Sequence, residues 1–169
     1  MRIEVAESIP EYPAANAFAI EDPSVKLALQ NFRNALQSDD SMFDSQEAGK
    51  GPSATGGEGL AECAGEFLVT FRDPEQGRNR GMYFQLIQKL VELLRDAGSP
   101  EVMAVSICLI SDEQKETPKG AFGLRIRLEA SGDSNEKAAL RWGLGLAHLQ
   151  QALLFTSRYL RQKRARKEE

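Results

Sequence analysis

The chain of 169 residues carries 21 Lys/Arg against 25 Asp/Glu, a net charge of −4, and 41% of it is hydrophobic. That suffices for one core with room for an extra segment. No apolar run approaches the ~18 residues that a membrane span needs, and the acidic start MRIEVAESIPEYP lacks the basic and apolar regions of a secretory leader, so the expectation is a cytoplasmic protein without membrane contact.

The charge is uneven along the chain. Residues 1–75 hold 5 Lys/Arg and 14 Asp/Glu, a net of −9, whereas residues 76–169 hold 16 and 11, a net of +5. Such asymmetry points either to internal screening or to two different partners.

Residues 1–22, with Pro10 and Pro13 and no period, read as an extended acidic arm. Asp22-Pro23-Ser24 signals a helix start, with Asp22 as cap and Pro23 at the first helical position. Val25, Leu29, Phe32 and Leu36 then recur at spacings of four, three and four, which predicts an amphipathic helix over 23–38. Residues 39–60 hold five of the 14 glycines and few apolar residues, and read as a flexible linker. The helix would then be a tethered element, free to dock on a partner.

The folded domain is expected over 61–164. FLVTFR at 67–72 reads as a strand with Phe67, Val69 and Phe71 on one face. Residues 82–97 read as a helix, with Phe84, Ile87, Val91 and Leu94 in one stripe and Met82, Leu86, Leu90, Leu93 and Ala97 widening it. Gly98 and Pro100 stop it. VMAVSICLI at 102–110 reads as an interior strand. A polar loop over 111–120 follows. Residues 121–130 alternate, with Phe122, Leu124, Ile126, Leu128 and Ala130 facing the core.

The last element is the longest. Asp133 with Glu136 resembles a capping box, and a helix is predicted over about 134–164. Trp142, Leu146, Leu149, Leu153 and Leu160 form one stripe, with Thr156 as its polar step. Leu140, Leu144, Ala147, Leu154 and Phe155 form a second. Gly143 and Gly145 each cost about 1 kcal/mol of helix propensity relative to Ala, which implies close helix–helix packing along Ala139, Gly143 and Ala147. The charged tail occupies 165–169.

The predicted fold is α+β: a small mixed three-stranded sheet packed by two helices (β-α-β-β-α), preceded by the tethered helix and linker. The strand–helix–strand unit should make its two strands parallel.

No motif carries catalysis. Cys63 and Cys108 lack a CxxC partner and read as free thiols, and His148, the one histidine, lies mid-helix. No cofactor or metal is expected. The reading is therefore a non-enzymatic protein–protein interaction module (adaptor, chaperone or assembly subunit) with a protein partner or a second copy of itself. The residues expected to meet that partner are Val25, Leu29, Phe32 and Leu36 on the first helix and Trp142, Leu146, Leu149 and Leu153 on the last. The alternative is a nucleic-acid-binding accessory protein. Arg125 and Arg127 on an open sheet face, with Arg158, Arg161, Lys163, Arg164, Arg166 and Lys167, would then contact phosphates or an acidic surface.

Overall fold

The computed structural model describes residues 2–6, 18–19, 23–37, 41, 43–46, 53–57, 60–71, 80–96, 102–110 and 123–168. In chain order they form β1 (Arg2–Ala6), β2 (Phe18–Ala19), α1 (Pro23–Leu36), β3 (Phe43–Gln46), β4 (Ser53–Gly57), β5 (Leu60–Phe71), α2 (Arg80–Asp96), β6 (Val102–Ile110), β7 (Gly123–Gly132) and α3 (Asn135–Glu168). The class is α+β, and the described residues form one mixed sheet and three helices. None of the described helices is long and apolar enough to cross a membrane.

The sheet is ordered β1-β6-β7-β5-β4-β2, and β3 also pairs with β5. Its centre is the expected trio β5, β6 and β7. Both β5 and β6 run antiparallel to β7, and so parallel to each other, with β7 inserted between them. The direction follows the crossover rule; the adjacency does not. β1 adds to β6 in parallel.

The sheet thus has seven strands where three were expected, and the extra four come from the segments read as arm and linker. β3 pairs with the C-terminal part of β5 (Phe43↔Phe71 to Gln46↔Leu68) and β4 with its N-terminal part (Ser53↔Ala64 to Gly57↔Leu60). One long strand therefore offers a single edge to two short ones. Ladder pairing uses backbone groups, so a glycine-rich segment gains order from β5 without a large apolar surface of its own. Phe43 supplies an apolar anchor, fully buried in the core. Buried Ser41 fixes its approach: its hydroxyl accepts from the Phe43 N–H at 3.1 Å and donates to the Phe43 carbonyl at 2.9 Å.

β5 starts seven residues earlier than the expected strand. Its first part, Leu60 to Glu66, consists mostly of small residues and glutamates and so lacks the β-branched bulk that marks strands. The small residues have a cause. The Trp142 ring lies so close to Gly65 that a Cβ there would overlap it. Trp142 is fully buried, and its indole N–H donates to the Leu128 carbonyl at 2.9 Å.

All three helices serve one core. α3 lies on β7 and β5, and both α1 and α2 pack against α3. Leu124, Ile126 and Leu128 of β7 meet the helix layer, with Val105 and Ile107 of β6 beside them. On α2 the buried line is Leu86, Leu90 and Leu94, while Phe84 stands 73% exposed, outside the stripe assigned to it from spacing. α3 is capped by Ser134 rather than Asp133: its hydroxyl accepts from the Lys137 N–H at 3.2 Å. Asp133 instead pairs with the Lys137 ammonium at 3.0 Å. Further along, the buried hydroxyls of Thr156 and Ser157 donate to the carbonyls of Ala152 and Leu153, which satisfies both polar groups inside the core. The expected cap Asp22, the stop at Gly98 and Pro100, and the loop 111–120 lie outside the described residues.

Candidate interaction surface

The eight apolar residues assigned to a partner by periodicity face inward. Val25, Phe32 and Leu36 of α1 are buried, and Leu29 packs against the same core. Trp142, Leu146, Leu149 and Leu153 are each fully buried. This corrects the sequence reading: α1 docks on its own chain, and the Trp142 stripe is the core side of α3. The smooth strip on α3 meets α1, where a Cβ on Gly143 would lie 3.7 Å from the Ala28 methyl. The two helices run in the same sense, since Ala28 neighbours Gly143 and, further on, Arg161 reaches the Ser41 carbonyl at 3.5 Å.

What α3 shows to solvent is its other stripe. Leu140 is 56% exposed, Leu144 46% and Phe155 46%. Ala147 and Gln151 lie between them on the same face, also exposed. From Leu140 to Phe155 the exposed positions of this face carry no charge. Beside it, an open groove of about 420 Å³ runs between α1 and α3, lined by Ala28, Asn31, Asn34, Ala147 and Gln150. Exposed Leu27 of α1 stands next to it in sequence. On the far flank the Lys89 ammonium of α2 sits 4.6 Å from the Tyr159 ring centroid. A run of large apolar side chains at 46–56% exposure on one helix face is unusual for an isolated surface and typical of one that is covered in use.

At the start of α3 the exposed charges are mixed: Glu136 and Lys137 stand on its first turn, and Asp133, just before it, pairs with Lys137. Arg158 and Arg161 are exposed towards its end, with the Arg158 guanidinium 5.7 Å from the Phe155 ring centroid. Lys163, Arg164, Arg166 and Lys167 continue the helical backbone, and their side chains lie outside the described residues.

Arg125 and Arg127 are not the open basic face that alternation suggested. The register of β5 on β7 places Glu66 opposite Arg127. Its carboxylate lies 3.4 Å from Arg125 Nε and 4.0 Å from Arg127 Nη2. The side chains are 23% (Arg125), 9% (Arg127) and 13% (Glu66) exposed, so this is a largely buried cluster within the sheet. Drawing either arginine away to an outside phosphate would weaken the compensation of a largely buried carboxylate.

Cys63 is a buried free thiol, and burial pushes its pKa up to about 12. At neutral pH it stays protonated and acts as a small hydrophobe. The Cys108 side chain lies outside the described residues. His148 is half-buried on α3.

The stripe Leu140, Leu144 and Phe155 is legible in sequence as the second apolar row of the last helix, beside the Trp142 row that the spacing assigns to a partner. The distinguishing signal is the tryptophan: the largest apolar side chain marks the row that fills the core. Against known proteins, no family model matches the chain, and neither does a curated protein or a solved structure.

Proposed function

We propose that this chain is a non-enzymatic protein–protein interaction module, an adaptor, chaperone or assembly subunit acting in the cytoplasm, and that its contact surface is the outer face of α3. The observation that carries the reading is the exposed, uncharged row Leu140, Leu144 and Phe155. Interfaces draw their energy from a few apolar anchors of this kind, rimmed by polar groups. The nucleic-acid alternative is supported by the basic residues beyond Tyr159 and loses support at Arg125 and Arg127, which Glu66 already engages.

The test is affinity purification of the full chain from its native lysate, with and without nuclease, beside a Leu140→Asp/Leu144→Asp variant. The expected result is a stoichiometric protein retained after nuclease and lost from the variant, whose circular dichroism stays unchanged. Equal recovery on both baits, or partners that vanish with nuclease, would overturn the reading.

A further inference from the structure

We propose that residues 7–17 cross the sheet face opposite the helices and lie over Arg127, with Glu11 beside the Glu66 cluster. The inference concerns a surface that the interaction reading does not use.

The strand order calls for a crossing. β1 ends at Ala6 on one edge of the sheet, and β2 begins at Phe18 on the other. Five strand spacings separate them, ~24 Å. Register fixes their levels. Ala6 stands level with Arg125 through Cys108. Phe18 stands level with Ala130 through Ala54 and Cys63. That offset of five residues is ~17 Å along the strands, and the diagonal is ~29 Å. Twelve Cα steps join Ala6 to Phe18, a reach of ~40–43 Å at full extension. A path round either end of the sheet, clearing β7 and the β3 or β4 edge, measures ~45–50 Å. The segment therefore passes over a face. One face carries α3, with α1 and α2 packed against it. The described helices leave the other face to the crossing.

The burial pattern marks where it passes. β7 is the second of five spacings from β1, so a straight diagonal meets it two fifths of the way over, level with Arg127. Arg127 is 8% exposed, although it alternates with Ile126 and Leu128 and so faces away from the described helices. Off the line the same face opens: Glu4 and Glu62 are exposed and Glu129 is half-buried. Thr70, buried at the far end of this face, is a small side chain set between Asp44 of β3 and Gly123 of β7.

Two fifths of twelve steps from Ala6 falls at Glu11. At that point two guanidiniums, of Arg125 and Arg127, share the Glu66 carboxylate. A second carboxylate there balances the cluster in a largely buried setting. Pro10 and Pro13 flank Glu11. They favour extended backbone and do not donate to a ladder, which suits a segment that lies across strands rather than beside one. At ~3.1 Å per residue, twelve such steps reach ~37 Å, enough for the diagonal and a rise over the side chains. Acid from the N-terminal half of the chain thus meets base from the C-terminal half within one molecule.

Two measurements on the purified full chain decide the matter, with circular dichroism confirming that each variant is folded. The first is crosslinking in a Cys108→Ser background; Cys63, buried and protonated, stays silent. Ser106 is half-buried on β6 opposite Arg127, near the point where Ile9 would pass. In an Ile9→Cys/Ser106→Cys variant a short bismaleimide should join the two positions within one chain, read as a linked pair of tryptic peptides from a monomer-sized band. Ile9→Cys/Glu62→Cys, on the same face but off the line, should stay unlinked. Absence of the first product, its formation only between chains, or equal linkage at Glu62 would overturn the proposal. The second is urea unfolding. Glu11→Lys should lower the folded-to-unfolded ratio by about tenfold, and Arg125→Glu should be less damaging in that background than in the wild type. Additive effects of the two substitutions would overturn the placement of Glu11.

Discussion

At Gly65 a methyl group would overlap the Trp142 ring, whereas at Gly143 it would rest at 3.7 Å from Ala28, an ordinary contact. Two glycines in apolar surroundings therefore call for opposite responses to the same substitution. Gly65→Ala must displace a ring that also holds the Leu128 carbonyl, and overpacking of that kind costs about 1–3 kcal/mol. Gly143→Ala has room and gains helix propensity, about 1 kcal/mol in its favour. Urea midpoints should fall for the first variant and rise for the second. A fall for Gly143→Ala would mean that α1 sits tighter on α3 than 3.7 Å allows. Composition could not separate these glycines, because what distinguishes them is the nearest atom of another element.

Among the elements, α1 shows what periodicity conveys and what it leaves open. The spacing of Val25, Leu29, Phe32 and Leu36 correctly places four residues on one face. Nothing in that spacing says what covers the face. The cover is α3, approached through the small residues Gly143 and Ala28. The same ambiguity attended α3, whose two apolar rows are both regular; burial goes to the row that contains Trp142, and exposure to the row that contains Phe155. β3 and β4 were not legible at all. Their order is borrowed from the free edge of β5, by a long-range pairing for β3 and by pairing with the residues just beyond it for β4, and neither FDSQ nor SATGG carries the apolar alternation that marks a strand. On α1 the two sides can be compared directly. Phe32→Ala empties a fully buried site and should cost about 3–5 kcal/mol. Leu27→Ala, on the exposed side, should change stability by no more than about 0.5 kcal/mol. Chemical denaturation of both variants measures the contrast. Equal and small effects would return α1 to the status of a tethered helix.

For the whole molecule the question is whether residues 1–59 belong to the cooperative unit. If they were an arm, a tethered helix and a linker, a chain starting at Leu60 would unfold at the same denaturant concentration as the full one. The packing argues otherwise. Removing them strips β1 from β6 and β3 and β4 from β5, which opens both flanks of the central trio. It also uncovers the α3 face now shielded by Val25, Phe32 and Leu36, and leaves the place of Phe43 empty. Burial of one such side chain is worth about 1.5–3 kcal/mol, and the newly bared strand edges would invite association. Total stabilities of single domains are about 5–15 kcal/mol, so losses of this kind consume most of what is available. Trp142 is the sole tryptophan and sits where α3 meets the sheet. In the full chain its fluorescence and the far-ultraviolet circular dichroism should therefore unfold in one coincident transition. The chain starting at Leu60 should show a lower midpoint, a shallower slope in proportion to the surface no longer buried, and aggregation at concentrations the full chain tolerates. An unchanged midpoint and slope would mean that the N-terminal third is appended to the domain and takes no part in its stability.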